Sequence, residues 1–187
     1  VWLAVGRFEE AKDYPNMLRA FKMIVSKKSN VVLLLVGQGS LLEEVKKLGS
    51  ELKLEDKVRF LGVRRDVPDL MNAADAYVMS SAWEGMPMVL LEAGACGLPI
   101  VATDVGGNSE VVLNGKTGFI APPRNPEALA QAMEKMMALP KEKRLEMGEA
   151  GRAYIEANYS LEHVVDQWEA LYMEHLQKKG ISLSGSL

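Results

Sequence analysis

Residues 76 to 103 read AYVMSSAWEGMPMVLLEAGACGLPIVAT. Two short apolar runs, Ala76 to Met79 and Ile100 to Ala102, bracket a stretch that suits a helix over Met86 to Ala95. A strand, a crossover helix and a second strand make a parallel βαβ unit, and the near absence of polar residues says that both strands are covered on both faces. Pro87 suits a first helical turn, where its missing N–H costs nothing. The free N–H groups of that turn and the positive end of the helix dipole then make an anion site at the carboxyl end of the first strand. Glu84 stands just ahead of this helix and Glu92 inside it, separated by on the order of 10 Å at 1.5 Å per residue. Such a pair fits a ligand with hydroxyls at both ends and a diphosphate in the middle. The plainer reading makes Glu84 a favourable charge near a helix start and Glu92 a solvated residue. A carboxylate in so apolar a helix, however, reads as buried and in need of a partner.

The same alternation runs through all of the chain. Strands are expected at Val1 to Val5, Val31 to Val36, Val58 to Leu61, Ala76 to Met79, Ile100 to Ala102 and Gly118 to Ile120. Helices are expected at Tyr14 to Ser26, Ser40 to Leu48, Val67 to Ala73, Met86 to Ala95, Ser109 to Val112, Pro126 to Ala138, Lys141 to Glu156 and Leu161 to Lys178. The fold class is α/β, a doubly wound, mostly parallel sheet, with ligands beyond the carboxyl ends of the strands. Val164, Val165, Trp168, Leu171 and Tyr172 form an apolar stripe that predicts packing of the last helix on the body of the domain. The tail GISLSGSL, residues 180 to 187, is small and polar and is expected to be flexible.

Composition narrows the function. The 187 residues are 48% hydrophobic and 25% charged, with a formal net charge of −3. One domain of this size buries roughly 70% of its unfolded surface. Scattered Lys and Arg on a mildly acidic chain argue against nucleic acid. The single cysteine, Cys96, makes no internal disulfide and reads as a small hydrophobe. No apolar run approaches the ~20 residues of a membrane span. His163 and His175 lack a second ligand at metal spacing. The opening VWLAVGRF starts inside an apolar run without an initiator methionine, as expected of a domain cut from a longer chain.

Three further motifs lie at strand ends. Gly37-Gln38-Gly39 begins like a dinucleotide fingerprint but has Leu42 where the third glycine belongs, so a tight strand-to-helix turn is the better reading. Arg7 and Lys12, in GRFEEAKDY after the first strand, can meet a phosphate or can be a solvated loop. Gly106 and Gly107 in ATDVGGNSE allow close backbone approach to a ligand, or simply turn the chain.

Taken together, SSAWEGMPMVLLEAGACGLPIVATDVGGNSEVVLNGKTGFIAPPRNPEALAQAM, with VGRFEEAKDY, LLVGQGSLLEEV and VRFLGVRRDVPDLMNAADAYVMSS, resembles the donor-binding half of retaining GT-B glycosyltransferases of the glycosyl transferases group 1 family. The Glu84/Glu92 spacing is that family's Glu-x7-Glu signature. The resemblance implies a Rossmann-like nucleotide-sugar-binding domain over residues 1 to 179, with an N-terminal acceptor domain outside this chain. It implies that Glu84 contacts the transferred sugar and Glu92 the ribose. Gly6, Arg7 and Lys12 then lie at the diphosphate, Val63 and Arg64 at the nucleobase, and Gly85, Met86, Pro87, Met88, Val89, Gly106 and Gly107 along the donor. Catalysis would fall to Arg7, Lys12 and Glu84. Two departures from the family pattern stand out: Lys12-Asp13-Tyr14 replaces the usual Lys-Gly, and Trp83 sits beside the first glutamate.

The activity so implied is retaining transfer of a hexose from a nucleoside-diphosphate sugar, UDP favoured, to a glycan or lipid-linked acceptor, as in cell-envelope polysaccharide synthesis. The nucleotide sugar is the partner, with no cofactor and no metal expected. The protein would be cytoplasmic, at or near the inner face of the membrane, with any peripheral membrane contact made through the other domain. This chain alone would be a monomer with little activity. A non-catalytic sugar-nucleotide module and a nucleotide-sugar epimerase remain as alternatives.

Overall fold

The computed structural model describes residues 1–179; the expected flexible tail lies outside the described residues. Six strands, β1 (Trp2–Val5), β2 (Leu33–Val36), β3 (Val58–Gly62), β4 (Ala76–Met79), β5 (Ile100–Thr103) and β6 (Gly118–Ala121), form one sheet in the order β3-β2-β1-β4-β5-β6. Every neighbouring pair is parallel. The crossovers carry α1 (Tyr14–Lys27), α2 (Leu42–Glu51), α3 (Val67–Ala73), α4 (Met88–Ala95) and the single turn α5 (Asn108–Val111). After β6 come α6 (Pro126–Ala138), α7 (Lys141–Tyr159) and α8 (Leu161–Lys178).

Side chains alternate across the sheet and divide the core into two layers. Trp2, Ala4, Leu33, Leu35, Ala76, Val78 and Val101 pack with Leu18 and Phe21 of α1 and Leu129 and Met133 of α6. Leu3, Tyr77, Met79, Ile100 and Ala102 face the other way, onto Met71 of α3, Leu90 and Ala93 of α4 and Ile155 of α7. This doubly covered sheet is the α/β architecture that the apolar runs imply. Local chemistry fixes the helix starts. The Asp13 side chain accepts the Asn16 N–H ahead of Pro15 in α1, and the Asn125 side chain accepts the Ala128 N–H ahead of α6.

The strand order reverses between β1 and β4, and there the ladder is short. β1 pairs with β2 along its whole length, but with β4 only at Trp2↔Ala76 and Leu3↔Tyr77. Beyond that point the two strands part, which opens a crevice at their carboxyl ends. The Tyr77 hydroxyl takes over from the missing ladder, accepting the Val5 N–H at 3.1 Å and donating to the Val5 carbonyl at 2.9 Å. Burial pushes the Tyr77 phenol far above its ordinary pKa, so it stays protonated and performs both roles.

Two expectations need correction. The helix predicted from Met86 begins at Met88, with Pro87 extended at φ −81° and ψ 100° as its cap. A proline disfavours helical backbone at the residue before it, which excludes Met86 from the first turn. The α8 stripe does not pack on the body of the domain either. No residue of α8 is buried, and Val165, Trp168, Leu171 and Tyr172 are 44%, 53%, 41% and 60% exposed. The main contact of α8 is with α7, which it directly follows in the chain, and its apolar face is left largely open.

Tyr77→Phe should leave the Val5 N–H and carbonyl unpaired beside the core. A loss of about 1–3 kcal/mol is expected, measured by urea unfolding with an unchanged denaturant slope. A variant as stable as the parent would mean that water replaces the hydroxyl without cost.

Candidate functional site at the carboxyl end of the sheet

Two loops meet above the parting of β1 and β4. The first leaves β1 through Gly6, Arg7 and Phe8, and is tied to the β2 loop by Gly6 N–H to Val36 O and Phe8 N–H to Gln38 O, both 2.9 Å. Gly37 makes this approach possible: at φ +138° a Cβ there would lie 2.0 Å from the Gly6 carbonyl. The Gly-x-Gly stretch is therefore a turn against the first loop, as its missing third glycine suggests. Phe8 stacks on Tyr14 with centroids 4.3 Å apart, and the Tyr14 hydroxyl donates to the Gly6 carbonyl at 3.1 Å. A 3-10 turn, Glu10–Lys12, then brings the chain to Asp13, which sits in the left-handed region at φ 43°. Asp13 thus performs a turn that a glycine would perform in the usual Lys-Gly pattern.

The second loop leaves β4 through Ser80, Ser81 and Ala82. Ser80 is fully buried and its Oγ shares its proton between the Lys12 carbonyl at 2.8 Å and the Asp13 carbonyl at 2.9 Å. The Ala82 N–H donates to the Ala11 carbonyl at 2.8 Å. These bonds lock the two loops together and set the side chains of Lys12 and Glu84 face to face. Lys12 Nζ lies 2.5 Å from Glu84 Oε1, with the side chains 23% and 12% exposed. The Ser81 Oγ donates to the same Oε1 at 2.6 Å. Glu84 Oε2 has no hydrogen-bond partner among the described residues. Behind this loop the Gly107 N–H donates to the Gly85 carbonyl at 2.8 Å. A Cβ at Gly106, itself at φ +50°, would lie 2.1 Å from the Glu84 carbonyl. Gly106 and Gly107 thus support the backbone of the acidic loop.

Among the described residues, none of the remaining candidates makes a hydrogen bond or ion pair with these two side chains. Arg7 is exposed and its Nη1 lies 3.1 Å from Glu9 Oε1. Val63 is 64% exposed at the end of β3. Arg64 forks onto Asp66 through Nε at 2.8 Å and Nη2 at 2.5 Å, an exposed pair that raises the guanidinium pKa and lowers that of the carboxyl. Glu92 is exposed on α4, not buried as its apolar neighbours suggest, because Leu90, Ala93 and Gly94 form the covered face. Trp83, Met86 and Met88 make an apolar rim, 46%, 43% and 63% exposed, while Pro87 is buried and Val89 half-buried.

The site is an open face. The gap beneath Lys12, lined by Val5, Tyr14, Tyr77, Ser80 and Ser81 among others, holds only about 10 Å³. Larger hollows lie elsewhere, about 320 Å³ beside Asn72 and Lys141 and about 620 Å³ beside Phe119 and Lys135, away from the loops that carry Lys12 and Glu84. Among the described residues no group of three His, Cys, Asp or Glu is placed to hold a metal, and no helix is long and apolar enough to cross a membrane.

Comparison with known proteins identifies the family. Residues 1–154 match the family Glycosyl transferases group 1. The chain belongs to that family. It is 32% identical over 179 residues to the N-acetyl-alpha-D-glucosaminyl L-malate synthase of Bacillus anthracis, covering 95% of this chain and 46% of the relative. It is 33% identical over 123 residues to the Escherichia coli UDP-Gal:alpha-D-GlcNAc-diphosphoundecaprenol alpha-1,3-galactosyltransferase, covering 64% of this chain and 32% of that one. The crystal structure of Anabaena Alr3699/HepE in complex with UDP superposes with a TM-score of 0.83 at 26% identity, over 94% of this chain and 49% of that one. The sheet and its flanking helices are thus a Rossmann-like GT-B layer, and the chain spans half or less of the length of these relatives.

Within this group 1 domain, the sequence reading missed the residues that hold the site together. Ser80, Ser81, Tyr77 and Thr103 carry the cross-loop bonds. A signal was present, since two serines directly after the wholly apolar AYVM place hydroxyls where a buried strand ends and its backbone groups need partners.

Gly106→Ala should destabilise by at least about 1–2 kcal/mol from the left-handed backbone alone, with the clash against Glu84 added. Gly85→Ala, where an added Cβ meets nothing within 4 Å, should stay within about 0.5 kcal/mol. Thermal unfolding of both variants checks the contrast.

Proposed function

We propose that this chain is the nucleotide-sugar-binding domain of a retaining glycosyltransferase that moves a hexose from UDP to a glycan or lipid-linked acceptor. The observation that carries the proposal is the Lys12–Glu84 pair at the carboxyl end of the strand-order reversal. It sets one cation and one carboxylate side by side where α/β folds bind ligands. Lys12 and Arg7 serve the diphosphate, with the N–H groups of the first turn of α4, and together they stabilise charge on the leaving group as oxyanion sites do. Glu84 accepts from sugar hydroxyls and the exposed Glu92 from the ribose, while Val63 and Arg64 border the base. Gly6, Gly85, Met86, Pro87, Met88 and Val89 line the path between them. This division of work needs no metal, because two side-chain cations meet the diphosphate. UDP is favoured by the galactosyltransferase relative, whose name carries UDP-Gal, and by the UDP bound to Alr3699/HepE. An acceptor domain facing these loops completes the enzyme, on the cytoplasmic side of a membrane.

Thermal-shift measurements with UDP, GDP, ADP and their sugars test the donor, since a ligand at a hundredfold excess over Kd stabilises by about 2.7 kcal/mol. Lys12→Ala and Arg7→Ala should each weaken UDP roughly 10- to 100-fold, from loss of about 1.5–3 kcal/mol of charged hydrogen bonding, and barely alter uridine. Glu92→Ala should weaken uridine and UDP alike. Equal losses of uridine and UDP in the Lys12 variant would make Lys12 a structural residue.

A further inference from the structure

In the function proposed above, on which this inference rests, Lys12 and Glu84 serve different parts of one donor, yet here they hold each other at 2.5 Å. A diphosphate must compete with Glu84 for the ammonium, and as Lys12 is drawn away Glu84 loses its cation beside an incoming anion. We propose that Ser81 is the positioning residue that keeps Glu84 in place through this exchange, its hydroxyl holding Oε1 while Oε2 stays available to the donor sugar.

Three observations carry this. Ser81 and Lys12 are separate donors to one acceptor, Glu84 Oε1, so the hydroxyl bond at 2.6 Å is made independently of the lysine. Ser81 is itself immobile: it is fully buried, and its carbonyl accepts from the Thr103 hydroxyl at 2.7 Å, while the Thr103 carbonyl accepts from Asn108 Nδ2 at 2.8 Å. Lys12, by contrast, reaches Glu84 through a flexible four-carbon stem and can exchange the carboxylate for another anion brought to the site. Of the two partners of Oε1, the serine is fixed and the lysine movable.

Binding of UDP, UDP-glucose and UDP-N-acetylglucosamine to the full chain, measured by calorimetry on the parent, Ser81→Ala, Glu84→Ala and the double variant, tests the role. Ser81→Ala should weaken the sugar nucleotides about tenfold, the size of one hydrogen bond, and leave UDP within about twofold. Glu84→Ala should likewise weaken the sugar nucleotides but should bind UDP at least as tightly as the parent, since Lys12 is then released. The double variant should bind sugar nucleotides no worse than Glu84→Ala alone, because Ser81 acts only through that carboxylate. Ser81→Cys, close in size and a weak donor, should behave as Ser81→Ala and serves if the alanine variant fails to fold. Equal losses of UDP and UDP-sugar, or losses that add in the double variant, overturn this role while leaving the donor assignment standing. A parent that binds none of the three nucleotides overturns the proposed function and this role with it.

Discussion

Everything at the carboxyl end of this sheet follows from the early parting of β1 and β4. Two parallel strands that stayed paired to their ends would leave no room for the loops after Val5 and Met79 to converge. Pairing stops at Leu3↔Tyr77, and the orphaned backbone groups of Val5 are met by a phenol from the neighbouring strand. That substitution is directional: the ring fills the layer beneath while its hydroxyl ends the sheet. The crevice thus has at its base a side chain that replaces a ladder bond, and the gap left beneath the loops is only about 10 Å³.

At that base the protein uses hydroxyls to fix a pair of opposite charges. One buried serine fastens two carbonyls of the cationic loop and its neighbour fastens the carboxylate of the acidic loop. An ion pair this sheltered gains more from attraction than a surface pair does, but also costs desolvation, and the balance is small unless further hydrogen bonds complete it. Ser81 supplies that completion for Glu84. The short side chain loses little rotamer freedom, whereas a long polar one in its place would lose much more.

The sequence carried the architecture almost whole, because strands buried on both faces must be apolar throughout and crossover helices must not be. Boundaries moved where local chemistry overrode pattern, as at Pro87, whose ring forbids helix at Met86 and delays α4 to Met88. Glu84 and Lys12 were legible as candidates from their strand-end positions, but their mutual pairing was not, since they are 72 residues apart and meet only after folding. Glu92 misled because apolar neighbours suggest burial, and periodicity over an eight-residue helix cannot say which face is covered. The α8 stripe misled for a related reason: apolar spacing says that a face wants cover, and nothing in it says from where.

The three tryptophans fall into three environments, and that gives the molecule a built-in optical label. Trp2 lies in the core at 3% exposure, Trp83 stands beside Glu84 at 46%, and Trp168 lies on α8 at 53%, near Tyr172. Exposure of this kind sets emission colour, so Trp2 should emit to the blue and resist quenchers while the other two emit to the red and are accessible. Replacing Trp168 by phenylalanine leaves Trp83, the neighbour of Glu84 in sequence, as the one exposed indole, so that events at the site can be followed through its emission.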